Sequence, residues 1–132
     1  MGAKGHGVRY RMTSAQLRAV FEKTDGHCHF CGDPVVFSRR GWRSGSMRGY
    51  WEVDHIIQRG KGGVKTADNC LPACTSCNRL RWHRKGAALR NLLRLGLIAY
   101  REVRHDGQLG RSLRENLRKR LAINAARRIG RQ

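Results

Sequence analysis

Apolar side chains recur at intervals of three and four at Leu17, Val20 and Phe21, the spacing of one helix face. Thr13-Ser14-Ala15-Gln16 precedes them, with Gln16 three residues after Thr13 as in a capping box, so a helix is predicted to start there. Asp25-Gly26 should end it. Pro34-Val35-Val36-Phe37 is a short strand candidate, and residues 50–57, from Tyr50 to Ile57, have the β-branched and aromatic character of another. Gly60, Gly62 and Gly63 then force an irregular loop. Asn69-Cys70-Leu71-Pro72-Ala73 reads as the returning strand, at a sheet edge because Pro72 cannot donate to a ladder. A helix beginning near Thr75 should carry Asn78 through Arg84. In the next helical stretch Leu89, Leu92, Leu93 and Leu97 share a face. In the last, Ser112 and Glu115 form a predicted capping box, and Leu113, Leu117, Leu121, Ala125 and Ile129 run down one side.

These elements predict an α+β chain of one domain. It comprises a basic flexible arm (1–12), a core (13–85) and a basic helical extension packed on or continuing that core (86–132). The length of 132 residues suits one domain. Residues 38–49 carry four arginines and no periodicity, and read as a flexible basic loop.

Charge changes the picture most. Lys and Arg number 28 against 9 Asp and Glu, a formal net charge of +19. Residues 79–132 hold 16 Lys and Arg against Glu102, Asp106 and Glu115, which is +13 of that total. A surface so one-sided repels itself unless a polyanion neutralises it, so nucleic-acid phosphates are the expected partner. DNA and RNA are not separated by composition. No run of about 18 apolar residues occurs, which excludes a membrane span by hydropathy. The opening MGAKGHGVRYRM lacks an apolar signal core, so an intracellular location, cytoplasmic or nucleoid-associated, is expected.

Cysteine spacing points to a metal. Cys28 and Cys31 form one CxxC knuckle, and Cys74 and Cys77 form a second. Two knuckles close a tetrahedral sphere and leave no open position, the arrangement of structural Zn²⁺. A redox dithiol would use a single pair beside a βαβ pattern, which is not found. Cys70 is expected to be a small core residue. His27 and His29 adjoin a sphere that four thiolates already fill, and are expected to be spectators.

Between the knuckles the order is Asp54-His55, Gly62-Gly63, Asp68-Asn69, then Cys77-Asn78-Arg79. An Asp carboxylate and an Asn carbonyl are hard ligands suited to Mg²⁺ or Mn²⁺. A neighbouring neutral imidazole can take a proton from water. Adjacent residues of a regular strand face opposite sides, so a twist or bulge would be needed to converge Asp54 and His55.

From Cys28 to His83 this order resembles the HNH, or ββα-metal, endonuclease family, in the subgroup whose catalytic hairpin lies between two zinc knuckles. The resemblance implies divalent-metal-dependent hydrolysis of phosphodiester bonds in DNA, nicking one strand per event. It implies His55 as general base, Asp54 and Asn78 as ligands of the catalytic ion, and Asn69 as the residue bracing the hairpin. Arg81 stands where the family often has Lys, Cys70 where Leu is common, and Asn78 replaces a final His. Arg59, Lys61, Arg79, Arg81 and Arg84 are expected phosphate contacts. Trp51 reads as core, Trp42 as a base-stacking candidate, and His83 as exposed. A monomer or weak homodimer is expected, with the Leu face of the C-terminal helices open to a protein partner. The alternatives are a non-catalytic zinc-stapled nucleic-acid-binding module and an RNA-associated basic protein.

Overall fold

The computed structural model describes residues 12–43, 47–56 and 67–129, without the side chains of residues 67 and 125–129. Within these, α1 (Ser14–Glu22) leads to β1 (Trp51–His55), and a 3-10 turn (Ala67–Asn69) leads into β2 (Cys70–Cys74). Then come α2 (Thr75–Trp82), α3 (Gly86–Glu102) and α4 (Gln108–Ile129). A small two-stranded antiparallel sheet with four helices makes this a mixed α+β fold, as the sequence predicts.

The capping box of α1 forms in full. Gln16 N donates to Thr13 Oγ1 (3.1 Å), and Thr13 N donates to Gln16 Oε1 (2.8 Å), satisfying two of the helix's otherwise free N–H groups. The helix presses Val20 into a core with Val35, Trp51 and Cys70, flanked by Met12, Leu17, Phe21, Phe37 and Val53. Trp51 is fully buried, and its indole N–H donates to Phe37 O (3.1 Å). Cys70 is equally buried, the small core thiol expected.

β1 and β2 pair in regular register from Trp51↔Cys74 to His55↔Cys70. Ile56 N donates to Asn69 O (2.8 Å) just beyond the ladder. Pro72 tolerates its place because its backbone faces away from β1, so the ladder loses no N–H; its carbonyl accepts from His29 N in the first knuckle (2.9 Å).

Three expectations give way. Residues 34–37 form no strand, because their backbone bonds divide between two loops: Val35 N donates to Gly26 O (2.8 Å) and Val36 N to Gly49 O (2.9 Å). α2 stops at Trp82, with His83 at φ −115° rather than continuing to Arg84. α4 starts at Gln108, so Ser112 lies inside the helix, and Glu115 pairs with Arg118 (2.7 Å) instead of closing a capping box. The early start follows from Gly110: a Cβ there would collide with the carbonyl oxygens of Glu102 and His105. Arg114 then donates to Val103 O (2.7 Å) and His105 O (2.9 Å), satisfying carbonyls at the end of α3.

Further along, α4 grips the first knuckle. Arg120 donates to Cys31 O (2.9 Å) and to the Asp33 carboxylate (2.8 Å), while Asn124 Nδ2 donates to His29 O (3.0 Å) and Cys28 O (3.3 Å). The Leu face of the C-terminal helices stays open: Leu89, Leu93, Leu97, Leu117 and Leu121 are exposed. The arm over residues 1–11, the glycine loop, and Arg59 and Lys61 lie outside the described residues.

Candidate active site and metal centre

The two knuckles meet. Cys28, Cys31, Cys74 and Cys77 place their sulfurs within 4.8 Å of one another, with Cys31 Sγ and Cys74 Sγ at 3.9 Å. A zinc tetrahedron with bonds of about 2.3 Å has an edge of about 3.8 Å, so the four sulfurs fit that ion. Backbone N–H groups of Phe30, Asp33 and Cys77 point at Cys28, Cys31 and Cys74 Sγ at 3.3–3.4 Å, as thiolate ligands require. Hydrogen bonds from the neighbouring thiols pull the Cys28 thiol down, and the same neighbours push Cys77 up. A bound divalent cation lets all four carry charge together.

Cys74 is also the N-cap of α2. The cysteine cluster therefore adjoins the first turn of the helix that bears Asn78, Arg79 and Arg81. That helix lies over the face of β1 occupied by Glu52 and Asp54.

Asp54 is only 1% exposed, and its two oxygens accept three hydrogen bonds. His29 Nε2 (2.8 Å) and Arg81 NH1 (2.8 Å) donate to Oδ2, and Trp82 Nε1 (3.2 Å) to Oδ1. Burial alone would raise its pKa. The bonds from His29 and Trp82 and the Arg81 charge outweigh that, so the carboxyl is held below its usual range and stays ionised. His29 is thus no spectator: its backbone joins the knuckle to β2 while its ring anchors the buried carboxylate. Trp82 is exposed at its ring but directs its N–H to the buried Asp54 carboxylate. Arg81, expected on phosphate, instead faces Asp54 and lies over the Trp82 ring at 4.2 Å.

Asn78 meets Glu52 rather than Asp54. Its Nδ2 donates to Glu52 Oε1 (3.1 Å), and Arg79 NH2 donates to Glu52 Oε2 (3.2 Å). The Asn78 Oδ1 atom is buried with no hydrogen-bond partner among the described residues. A buried carbonyl oxygen left without a donor is costly unless something outside the chain satisfies it. Its donor chemistry fits a hard divalent cation. Asp54 fits less readily, because a cation would have to displace one of its three donors.

His55 lies one pleat on from Asp54, and the ladder is regular through both, without the bulge that would turn the two side chains to one side. Its Nε2 is shielded from solvent. Asn69 is buried where the hairpin closes. Arg84 and His83 are exposed just after α2. Trp42 is 58% exposed, with the Arg79 guanidinium 5.8 Å from its ring centre. Glu52 is not among the residues the sequence singles out, His29 is expected there to be a spectator, and Trp82 to be core or to stack on bases. The one signal for Glu52 was its place two residues before Asp54, on the same side of a strand.

The described residues form a two-stranded hairpin followed by a helix, with a four-cysteine cluster that could hold zinc at their junction. Residues 28–84 match the family model described as HNH endonuclease, so this stretch is an HNH domain. No curated protein and no solved structure gives a match. No helix among the described residues is long and apolar enough to cross a membrane.

Proposed function

We propose that the chain is a divalent-metal-dependent HNH endonuclease that hydrolyses phosphodiester bonds in DNA, nicking one strand per event. The observation that carries this reading is the Oδ1 of Asn78, buried and without a partner among the described residues, beside the β1 carboxylates on a helix that starts in the four-cysteine cluster. The chemistry a bound Mg²⁺ or Mn²⁺ supplies there is neutralisation of charge developing on phosphate oxygens. Asp54 and Asn78 offer it oxygen ligands. His55 takes the proton from the attacking water once a twist at the end of β1 turns its ring to the Asp54 side, and Asn69 braces the hairpin that carries it. Arg59, Lys61, Arg79 and Arg84 hold phosphates of the substrate strand. Arg81 joins them once released from Asp54, so substrate binding and completion of the ligand set share one rearrangement.

A second reading has its own support. The three donors on Asp54 satisfy it without a cation, as in a non-catalytic zinc-stapled nucleic-acid-binding module. Supercoiled plasmid with Mg²⁺ or Mn²⁺ decides between them. Nicking by the wild type that is lost in His55→Ala and Asn78→Ala supports the enzyme. Salt-sensitive binding of DNA or RNA with no cleavage of either supports the binding module.

A further inference from the structure

We propose that Glu52 is a positioning residue that sets the direction of the Asn78 amide, so that the carbonyl oxygen faces the cation and the NH₂ group faces away. The proposal rests on the metal-site reading given above. An ionised carboxylate only accepts hydrogen bonds, so the Asn78 group 3.1 Å from Glu52 Oε1 is the NH₂ and never the carbonyl. That choice dictates the other end of the amide: Oδ1 is directed elsewhere, into the buried position where no donor meets it among the described residues. Arg79 donates to the other Glu52 oxygen at 3.2 Å, so the oxygen facing Asn78 stays available to the amide. Without Glu52 the amide can turn by half a revolution and present N–H groups to the cation, a repulsive arrangement. Glu52 thus acts on ligand geometry through Asn78, with no need to touch cation or substrate.

The test uses the full-length zinc-loaded protein and titrates Mn²⁺, following free Mn²⁺ by electron paramagnetic resonance with zinc content measured in parallel. Wild type should bind one Mn²⁺, and Asn78→Ala should lose it. Glu52→Ala is expected to raise the half-saturating Mn²⁺ concentration at least tenfold. Glu52→Gln, whose carbonyl can accept the same bond, should recover most of that loss. Arg79→Ala removes the ion-pair partner but leaves the Asn78 bond, and should not weaken Mn²⁺ binding. A merely structural Glu52–Arg79 pair predicts instead that Arg79→Ala and Glu52→Ala behave alike. Unchanged Mn²⁺ binding in a zinc-retaining Glu52→Ala overturns the role of Glu52 alone. Failure of wild type to bind Mn²⁺ overturns the metal-site reading, and the role of Glu52 falls with it. Should Glu52→Ala lose its zinc, Glu52→Asp, which withdraws the carboxylate by one methylene, decides by the same criterion.

Discussion

Replacing His29 with alanine removes the 2.8 Å bond from Nε2 to Asp54 Oδ2, made by a side chain 12% exposed to one 1% exposed. A hydrogen bond to a charged group contributes about 1.5–3 kcal/mol. Asp54 keeps Arg81 and Trp82, so it is not orphaned, and the expected loss is about 2 kcal/mol. The imidazole also packs on Phe30, with ring centres 3.9 Å apart, which keeps the figure from falling lower. For a chain of this length that corresponds to a Tm lower by roughly 6–10 °C. The assay is thermal unfolding by circular dichroism on zinc-loaded protein, with zinc quantified before and after. His29→Gln should regain part of the loss, because its amide N–H can still donate. A double-mutant cycle with Asp54→Asn isolates the pair, with an expected coupling of about 1 kcal/mol or more. A loss under about 0.5 kcal/mol with zinc retained, together with no coupling, would refute an anchor running from the knuckle to the buried carboxylate.

Further outcomes follow from the same geometry. Because the folded Asp54 pKa is lowered, its stabilisation is complete at neutral pH. With zinc in excess, the Tm gap between wild type and His29→Ala should therefore stay constant from about pH 8 down to about 6, because this contribution begins to fade only as pH nears the ordinary aspartate range, about 4. Stripping zinc with a chelator should abolish the cooperative transition, since such sites contribute on the order of 10 kcal/mol, and restoring Zn²⁺ should bring it back. Gly110→Ala should loosen α4, seen as faster hydrogen exchange in its first turn, because the added methyl meets two backbone carbonyls that cannot swing away. If DNA is bound, affinity should fall with salt at a log–log slope of about −0.9 per phosphate contacted, and Arg84→Ala should lessen that slope by about one.

Much of the fold could be read from local signals. The α1 capping box, the β1–β2 hairpin and the two knuckles each depend on residues close in sequence or on a repeated spacing, and each forms. Elements decided by distant contacts were misread. Ser112 and Glu115 have the letters of a cap, but the chain starts α4 a turn earlier, where Gly110 lets two backbones approach. Val35 and Val36 look like strand residues, yet their partners sit in loops on either side. The surroundings of the site follow the same rule. His29 meets Asp54 across 25 residues and Asn78 meets Glu52 across 26, and no spacing pattern announces either pair.

The hold of α4 on the first knuckle couples two properties that are usually separate. Its anchors, Arg120 and Asn124, bind the backbone carbonyls of Cys28, His29 and Cys31, inside the knuckle whose two thiols belong to the sulfur cluster. The sulfur cluster and the seat of a strongly cationic helix therefore share one short stretch of backbone. Oxidation of the knuckle thiols would therefore disturb the footing of that helix as well as the sulfur cluster itself.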